Sequence, residues 1–516
     1  MLSRIKGLAP LALAGLMALM LCGCAQRVDF EDKGVSVEKT EIALVLQPGE
    51  TQKLDALSAL KSADLSGSEC YDEIIAWSAM HPEVYVTYTV PLPDGTTADN
   101  HVESLTLGAM NEADADTAAE LLSYLPALRA LDLSGTGLSA GAAARIAGQL
   151  DGVETAYSFT LLGEEHTLND AALDLTGLSP AQLEEALEIL PNMPRLKNVR
   201  LGYEAECALS WEDIAALVQA CPAVDFEYYF TLYGLQFTLL DSVMDLNHIN
   251  ISDGGALVYR VAACMKNLKT LDMDFCGVSS EQMAVIRDAY PNTKVIWRIW
   301  FGDGYSVRTD VEKILASKPS AGGLVRDRDA AELKYCTDVK YLDVGHNERL
   351  TDISFVAYMP ELEVAILAMN DIEDISPLAS CTKLEYLELQ TNQRISDLTP
   401  LASCVNLEHL NIANIKGFSD ISPLFGLTKL ERLWLGCSAP VPKEQIAEFE
   451  DLMPDCELNT TVWSDPTGEH WRVDYVDPWT NQYYYVARYE LLLEQFGYIE
   501  DEYSFSWKDP KYDGRN

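Results

Sequence analysis

Val339-Lys-Tyr-Leu-Asp-Val344, Leu362-Glu-Val-Ala-Ile-Leu367, Leu384-Glu-Tyr-Leu-Glu-Leu389, Leu407-Glu-His-Leu-Asn-Ile412 and Leu430-Glu-Arg-Leu-Trp-Leu435 are five copies of one segment, at steps of 23, 22, 23 and 23 residues. Offset 3 is apolar or Ala (Leu342, Ala365, Leu387, Leu410, Leu433), and offset 5 is always apolar. Offset 8 is Asn in three copies: Asn347, Asn370 and Asn392. A second refrain lies between openers: Asp-Ile-Ser-Phe355, Asp-Ile-Ser-Pro-Leu378, Asp-Leu-Thr-Pro-Leu401 and Asp-Ile-Ser-Pro-Leu424. The alternation puts two apolar side chains on one face of a short strand and leaves the residue between them on the other. One such strand cannot bury its apolar face alone, so the copies are expected to stack into a parallel sheet over a shared core.

The period and the pattern L-x-x-L-x-L-x-x-N resemble the leucine-rich repeat. The resemblance implies an α/β solenoid with a parallel sheet on the concave face, helices and turns on the convex face, and an aromatic C-terminal cap. The inward Asn is expected to satisfy backbone groups of the turn. Ile415 and Ser438 replace it in the last two copies, where that ladder is expected to end.

Upstream, residues 41–338 carry a longer period. Phe159-Thr-Leu-Leu-Gly163 returns as Phe230-Thr-Leu-Tyr-Gly234, and Leu173-Asp-Leu175 as Met244-Asp-Leu246. The repeat sentence reappears at Leu60 (degraded), Leu128, Leu196 and Leu268, at steps of 68, 68 and 72. Ser139, Ser179, Ser210 and Ser279 read as helix caps, with Gln182 and Gln282 at capping-box spacing. Helices are expected at residues 140–150, 180–190, 211–220 and 280–289. Each long unit thus reads as strand, helix, strand and a hairpin-like Phe-Thr-Leu-x-Gly segment.

The N-terminus reads as an address. Arg4 and Lys6 precede the apolar run Leu8–Leu21, which ends Leu21-Cys22-Gly23-Cys24. The run is too short for a membrane span. It resembles a bacterial lipoprotein signal, which implies lipidation of Cys24 and an anchor on the extracytoplasmic face of the membrane. The expected organisation is signal 1–23, lipidated Cys and tether 24–40, long units 41–338, short repeats 339–438 and C-terminal cap 439–516. Removing residues 1–23 takes away Arg4 and Lys6 and no carboxylate, so 35 cations face 80 carboxylates, a net −45. That balance argues against nucleic acid or an anionic membrane surface as partner, so membrane attachment is assigned to the lipid alone.

No set of residues reads as catalytic. Gly137-Leu-Ser139-Ala-Gly141 matches a nucleophile elbow, but Gly177-Leu-Ser179 and Gly277-Val-Ser279 repeat it at the head of other helices, so Ser139 reads as a cap. The seven histidines show no metal spacing, and Asp114 and Asp116 lack the rest of a calcium loop. No metal or cofactor is expected. Cys336, Cys381 and Cys404 alternate with Met and Leu at one repeat position and read as small core hydrophobes. Cys381 and Cys404 stand on neighbouring coils about 4.8 Å apart, which leaves a disulfide geometrically open.

The remaining candidate is the concave strand face. At offset 2 it carries Tyr341, Val364, Tyr386, His409 and Arg432; at offset 4, Asp343, Ile366, Glu388, Asn411 and Trp434. Aromatic and apolar side chains beside charges suit a protein partner. The alternative surface is the aromatic stretch after Pro440, from Trp463 through Trp471, Trp479, Tyr489 and Phe496 to Trp507. It reads either as a cap or as a platform for carbohydrate or cell-wall binding. Residues 339–438 resemble the bacterial surface leucine-rich-repeat proteins of the internalin type. That resemblance implies recognition of a protein or glycan outside the cell, without catalysis.

Overall fold

Each copy of the repeat forms one three-residue strand, and its two central apolar residues point into the coil. The computed structural model describes residues 26–301, 305–317, 325–438, 440–460, 469–480 and 483–496. The signal segment and Cys24 lie outside the described residues, as do Trp463, Tyr498, Tyr503, Phe505 and Trp507. Among the described residues no helix is long and apolar enough to cross a membrane. The chain divides into two compact units, residues 1–228 and 229–516.

In the first unit the parallel strands come in threes. Glu41–Ala43, Ser62–Asp64 and Tyr85–Thr87 pair in register, and so do Ser104–Thr106, Ala130–Asp132 and Glu154–Ala156. The degraded opener Leu60 is thus a genuine strand start. After each triplet comes an antiparallel hairpin with its own ladder: Thr89–Pro91 with Thr97–Asp99, and Ser158–Leu161 with Glu164–Thr167. The second hairpin turns through Leu162 and Gly163, both at positive φ (55° and 85°), the two-residue turn whose twist matches the flanking strands. This explains the conserved spacing of the Phe-Thr-Leu-x-Gly text: Tyr233 and Gly234 repeat it at φ 50° and 89°. The hairpins at residues 89–99 and 158–167 thus form two-stranded sheets of their own, whereas Asp225–Leu232 belongs to one sheet with Leu235–Thr238 and the parallel strands before it.

The helix expectations hold at Ala140–Gln149, Pro180–Ile189, Trp211–Ala220 and Ser280–Ala289. Ser139 Oγ accepts from the Ala142 amide at 3.2 Å, and Ser279 Oγ from the Gln282 amide at 3.3 Å. Ser139 is a helix cap. The sequence reading missed the helices at Tyr71–Met80 and Ala115–Ser123. Neither begins with a Ser cap, and no cap side chain bonds to either helix start, so the start signal relied on elsewhere was absent.

The second unit holds the triplet Val243–Asp245, Thr270–Asp272 and Lys294–Ile296, then one continuous sheet of seven parallel strands. These are β1 (Lys313–Leu315), β2 (Tyr341–Asp343), β3 (Val364–Ile366), β4 (Tyr386–Glu388), β5 (His409–Asn411), β6 (Arg432–Trp434) and β7 (Glu457–Asn459). On the convex side the second refrain forms short 3-10 turns at Ser354–Tyr358, Ser376–Ser380, Thr399–Ser403 and Ser422–Leu424. Its Asp is the device that starts them: Asp374 Oδ1 accepts from the Ser376 amide at 2.8 Å, and Asp397 Oδ1 from the Thr399 amide at 2.8 Å. The Leu that closes the refrain is fully buried.

The Asn ladder works as expected and runs further. Asn392 Nδ2 donates to Leu367 O and Leu389 O (3.0 and 2.7 Å), and its Oδ1 accepts from the Ile372 amide at 3.0 Å. Asn347 and Asn370 make equivalent bonds. The ladder skips Ile415, yet it does not end there. Ser438 Oγ donates to Ile412 O at 2.9 Å and accepts from the Ile415 amide at 3.3 Å, a shortened rung. In the cysteine column, Cys381 and Cys404 direct their sulfurs at carbonyls of the preceding coil, Val356 O at 3.6 Å and Leu378 O at 3.4 Å. Burial pushes each thiol up to about 12.

Helix α1 (Lys443–Leu452) follows β6 and buries Phe449 completely, and β7 then pairs with β6. β7 is thus the last strand of the sheet. Four short elements remain: α2 (Glu469–Arg472), an antiparallel hairpin of Val473–Val476 with Tyr483–Tyr485, and α3 (Ala487–Phe496).

Candidate functional site: the covered concave face

The ten residues expected on the concave face do lie together on it, in two columns across β2–β6. Cα pairing sets Tyr341, Val364, Tyr386, His409 and Arg432 side by side, and likewise Asp343, Ile366, Glu388, Asn411 and Trp434. Their expected exposure is not what the structure has. Nine of the ten are buried and Tyr341 is half-buried. The cause is the C-terminal segment, whose described residues fold back across the face. Trp471, Tyr489, Leu492 and Phe496 form one apolar cluster with Val364, Ile366, Tyr386, Ala413 and Trp434. Tyr489, Leu492 and Phe496 recur at helical spacing along α3, so one stripe of that helix meets the sheet. Each buried large apolar side chain contributes about 1.5–3 kcal/mol.

At the centre stands Glu388, whose side chain is fully buried. Arg472 donates to both its oxygens, Nε to Oε1 at 2.9 Å and Nη2 to Oε2 at 2.5 Å. The Trp471 indole N–H donates to Oε1 and to the Tyr386 hydroxyl, both at 2.9 Å. Tyr386 in turn donates to Oε1, and Gln390 Nε2 to Oε2 at 3.1 Å. Burial alone pushes the Glu388 carboxyl up, but the Arg472 charge and this set of donors outweigh it and hold it below the usual carboxylate range. The same burial works against the Arg472 charge and is outweighed by Glu388. The two form a bidentate pair in which each is the other's condition for being charged.

Aromatic and cationic contacts surround the pair. The Arg472 guanidinium lies 4.9 Å from the Tyr489 ring centre, and that of Arg432 lies 4.7 Å from Trp434 and 5.7 Å from Trp471. His409 is buried, although a strand-face His was expected in solvent; its ring stacks near Tyr386 at 5.8 Å. Burial, with help from the Arg432 and Arg488 charges, pushes its imidazole down to about 4. At the rim Arg488 pairs with Glu385 at 2.9 Å, and Gln495 donates to the Tyr341 hydroxyl at 3.3 Å. Several buried polar atoms have no hydrogen-bond partner among the described residues: Gln390 Oε1, Asn411 Nδ2 and Trp434 Nε1 on the sheet side, Arg488 Nε and Gln495 Oε1 on the segment side. Such a group costs about 1–3 kcal/mol.

Trp471, Tyr489 and Phe496 are buried, while Trp479 and Tyr484 are exposed. The sequence reading named both surfaces and missed that they meet. The available signal was charge: an apolar strand face carrying Glu388, and one Trp-Arg dipeptide downstream.

A second buried network escaped the sequence reading entirely. Arg298 donates bidentately to Asp274 (both 2.8 Å) and to Ser306 at 3.1 Å, and its guanidinium lies 4.3 Å from the Phe275 ring centre. Arg308 bridges Asp272 and Asp310 at 2.9 and 3.0 Å. The hairpin Arg298–Phe301 with Tyr305–Arg308 is thereby tied to the strand-ending carboxylates beside it. Those carboxylates recur because each caps its own turn. Asp132, Asp174, Asp245 and Asp343 all accept from the amide two residues on, at 2.9–3.0 Å.

A family model described as leucine-rich repeats (2 copies) matches residues 360–403. No curated relative is detected. Among solved structures, the chain is similar to an internalin (inlF) of Listeria monocytogenes, at 16% identity over 83% of this chain and 84% of that one, with a TM-score of 0.24. It is similar to a leucine-rich-repeat protein of Leptospira interrogans at 15% identity, over 81% and 93% of the two chains, TM-score 0.24. Repeats of this kind imply protein–protein interaction. The matched sequence, the parallel strand of every coil and the Asn ladder make the region from Tyr341 to Asn459 a leucine-rich-repeat solenoid.

Proposed function

We propose that this protein is a lipid-anchored, extracytoplasmic leucine-rich-repeat protein of the bacterial surface, that it recognises a protein partner through the concave face of β2–β6, and that it performs no catalysis. One observation carries the reading. The face is already built to hold polypeptide, with a buried carboxylate at its centre, aromatic side chains around it and a helix laid across it. The anchor rests on Leu21-Cys22-Gly23-Cys24 and on the basic start before it.

The test is capture by the immobilised mature chain, from Ala25 onward, presented in parallel to host-surface proteins, the producer's envelope proteins and a glycan array. The expected result is one saturable protein partner, competed by the same chain in solution. Binding to glycans alone would overturn the reading. For the anchor, Cys24→Ala is expected to move the protein from the membrane to the soluble fraction.

A further inference from the structure

Beside the buried Arg298–Asp274 pair, three rings reach the surface in a row. His248 and Phe275 are stacked, with ring centres 4.7 Å apart and planes at 9°, and Phe275 meets Trp300 edge-on at 6.3 Å. All three are exposed, Phe275 to 36% and Trp300 to 58%. His248 and Phe275 each follow a parallel strand by three residues and take a positive φ, 61° and 55°. The backbone shape belongs to the repeat, since His346, Met369, Thr391, Asn414 and Cys437 share it at the same place. The choice of side chain does not. A left-handed residue favours Asn or Gly, and a bulky ring such as Phe275 is the costly choice there. A ring left partly in water also forgoes some of the gain of burial.

The rings are held in place before any ligand arrives. The His248 amide donates to Asp274 O at 2.9 Å, which keeps the two coils in step. The Arg298 guanidinium, fixed by both Asp274 oxygens, lies 4.3 Å from the Phe275 ring centre. Trp300 sits on the hairpin Arg298–Phe301 with Tyr305–Arg308, which is tied down by the Arg298 bond to Ser306 and the Arg308 bond to Asp272. A row supported in this way loses little freedom on binding. The same coils expose Asp245, Asn247 and Asn250. Asn250 Oδ1 lies 3.6 Å from the point where a side chain on Gly277, two residues past Phe275, would begin.

We propose that His248, Phe275 and Trp300 form a binding platform for a glycan built of neutral pyranoses. A pyranose carries C–H groups on its faces and hydroxyls round its edge, so it stacks on an open ring while amides and carboxylates beside it accept from its hydroxyls. Trp300 offers the largest open ring, and Phe275 and His248 extend the row toward further sugar units. Charge sets the class of sugar. Arg298 and Arg308 are held by Asp274, Asp272 and Asp310, and Asp245 is exposed, so an acidic sugar would bring its charge to a carboxylate. Size favours a glycan over a protein: a specific protein interface takes about 800 Å² per partner, more than three part-exposed rings supply. The platform uses no residue of β2–β6 and does not depend on the recognition reading above.

The probe is an array of neutral pyranose oligosaccharides, with uronate- and sialate-bearing glycans alongside, exposed to the full mature chain and to its Trp300→Ala variant. At least one neutral glycan is expected to bind, and Trp300→Ala, which removes an exposed ring, is expected to weaken that binding at least tenfold. Should the variant lose its cooperative thermal transition, His248→Ala decides in its place, with loss of binding expected again. No neutral glycan bound, acidic glycans bound alone, or equal binding by the natural and variant chains each overturn the proposal. The two readings fail separately. Glycan binding that depends on Trp300, without any captured protein, leaves the platform standing and sinks protein recognition. A captured protein without glycan binding does the reverse. A captured protein that Trp300→Ala releases, with no glycan bound, makes the row a protein contact and overturns the glycan.

Discussion

The same outward strand face occurs in this molecule in two states, exposed in some strands and covered in others. In Ala172–Asp174 and Val243–Asp245 the outer residues of each strand are exposed and only the middle one is buried. In β3–β6, with the same parallel register and the same offsets, all three residues of each strand are buried. Nothing in the repeat itself distinguishes them. The offset-4 side chain is Asp174 or Asp245 in one and Glu388 in another, all carboxylates. The difference is made by Trp471, Arg472 and α3, which stand 83 and more residues downstream of Glu388. Repeat periodicity decides which way a side chain points; what lies over it is decided elsewhere in the chain.

The largest expected effect follows from removing one partner of the buried pair. Arg472→Ala leaves the Glu388 carboxylate buried with its charge uncompensated, which costs about 3–5 kcal/mol. Denaturant unfolding of the second unit, followed by Trp fluorescence, should shift accordingly. Arg472→Lys should recover only part of the loss, since an ammonium cannot bond both oxygens in a plane. A negligible change would mean that the segment does not hold the face at all.

Acid should discriminate the two faces next. His409 has its pKa depressed from 6.5 to about 4 by burial first and then by Arg432 and Arg488. Glu431 on the neighbouring coil lies 3.6 Å from its Nε2 but is largely exposed. A depressed folded pKa means the neutral ring favours the closed face. That stability is present above pH 6.5 and is lost as pH falls toward 4, on the order of 3 kcal/mol. Below that range the Glu388 contribution fades in turn, because its carboxyl is also held below its ordinary value. Stability measured between pH 7 and 4 should therefore slope downward, and His409→Gln should flatten the slope above pH 4.5. An unchanged slope in that variant would assign the acid response to other groups.

The Asn ladder belongs to neither face and gives a third, smaller step. Asn392→Ala strands Leu367 O, Leu389 O and the Ile372 amide inside the coil, at a cost of about 2–3 kcal/mol. Ser438→Ala removes the short rung and should cost about 1 kcal/mol. Equal costs would mean that Ser438 carries a full rung.

What could be read ahead of the structure divides along the same line. Local signals were sufficient wherever a local interaction makes the structure. The five openers became β2–β6, and the Ser caps began their helices. The hairpins were visible as text, but their two-residue turn depends on Leu162 and Tyr233 accepting positive φ, which neither residue type advertises. The site was half readable. Strand alternation placed all ten residues on one face, while their burial depends on contacts such as Trp471 to Tyr386, 85 residues apart, for which no periodicity exists. Ser438 was misjudged for a simpler reason: a hydroxyl both donates and accepts, so it can stand in for an amide where only two bonds are needed.

The smallest predicted effect is the sharpest control. Arg200 and Asp174 occupy offset 4 on neighbouring coils and pair at 3.2 Å, a counterpart of Arg472 on Glu388, but with half of each side chain exposed. Water already solvates both charges, and ordering two long side chains offsets most of the attraction. Arg200→Ala should therefore change stability by less than about 0.5 kcal/mol. Asp174→Ala should cost somewhat more, near 1 kcal/mol, because that carboxylate also caps the Thr176 amide at 3.0 Å. The ordering matters more than either value. If Arg200→Ala proved as costly as Arg472→Ala, the face carrying Arg200 would have to be covered as well, and the contrast between the two faces would collapse. If it is silent, an arginine–carboxylate pair whose carboxylate stands at the same repeat offset is shown to gain its weight only from the chain that buries it.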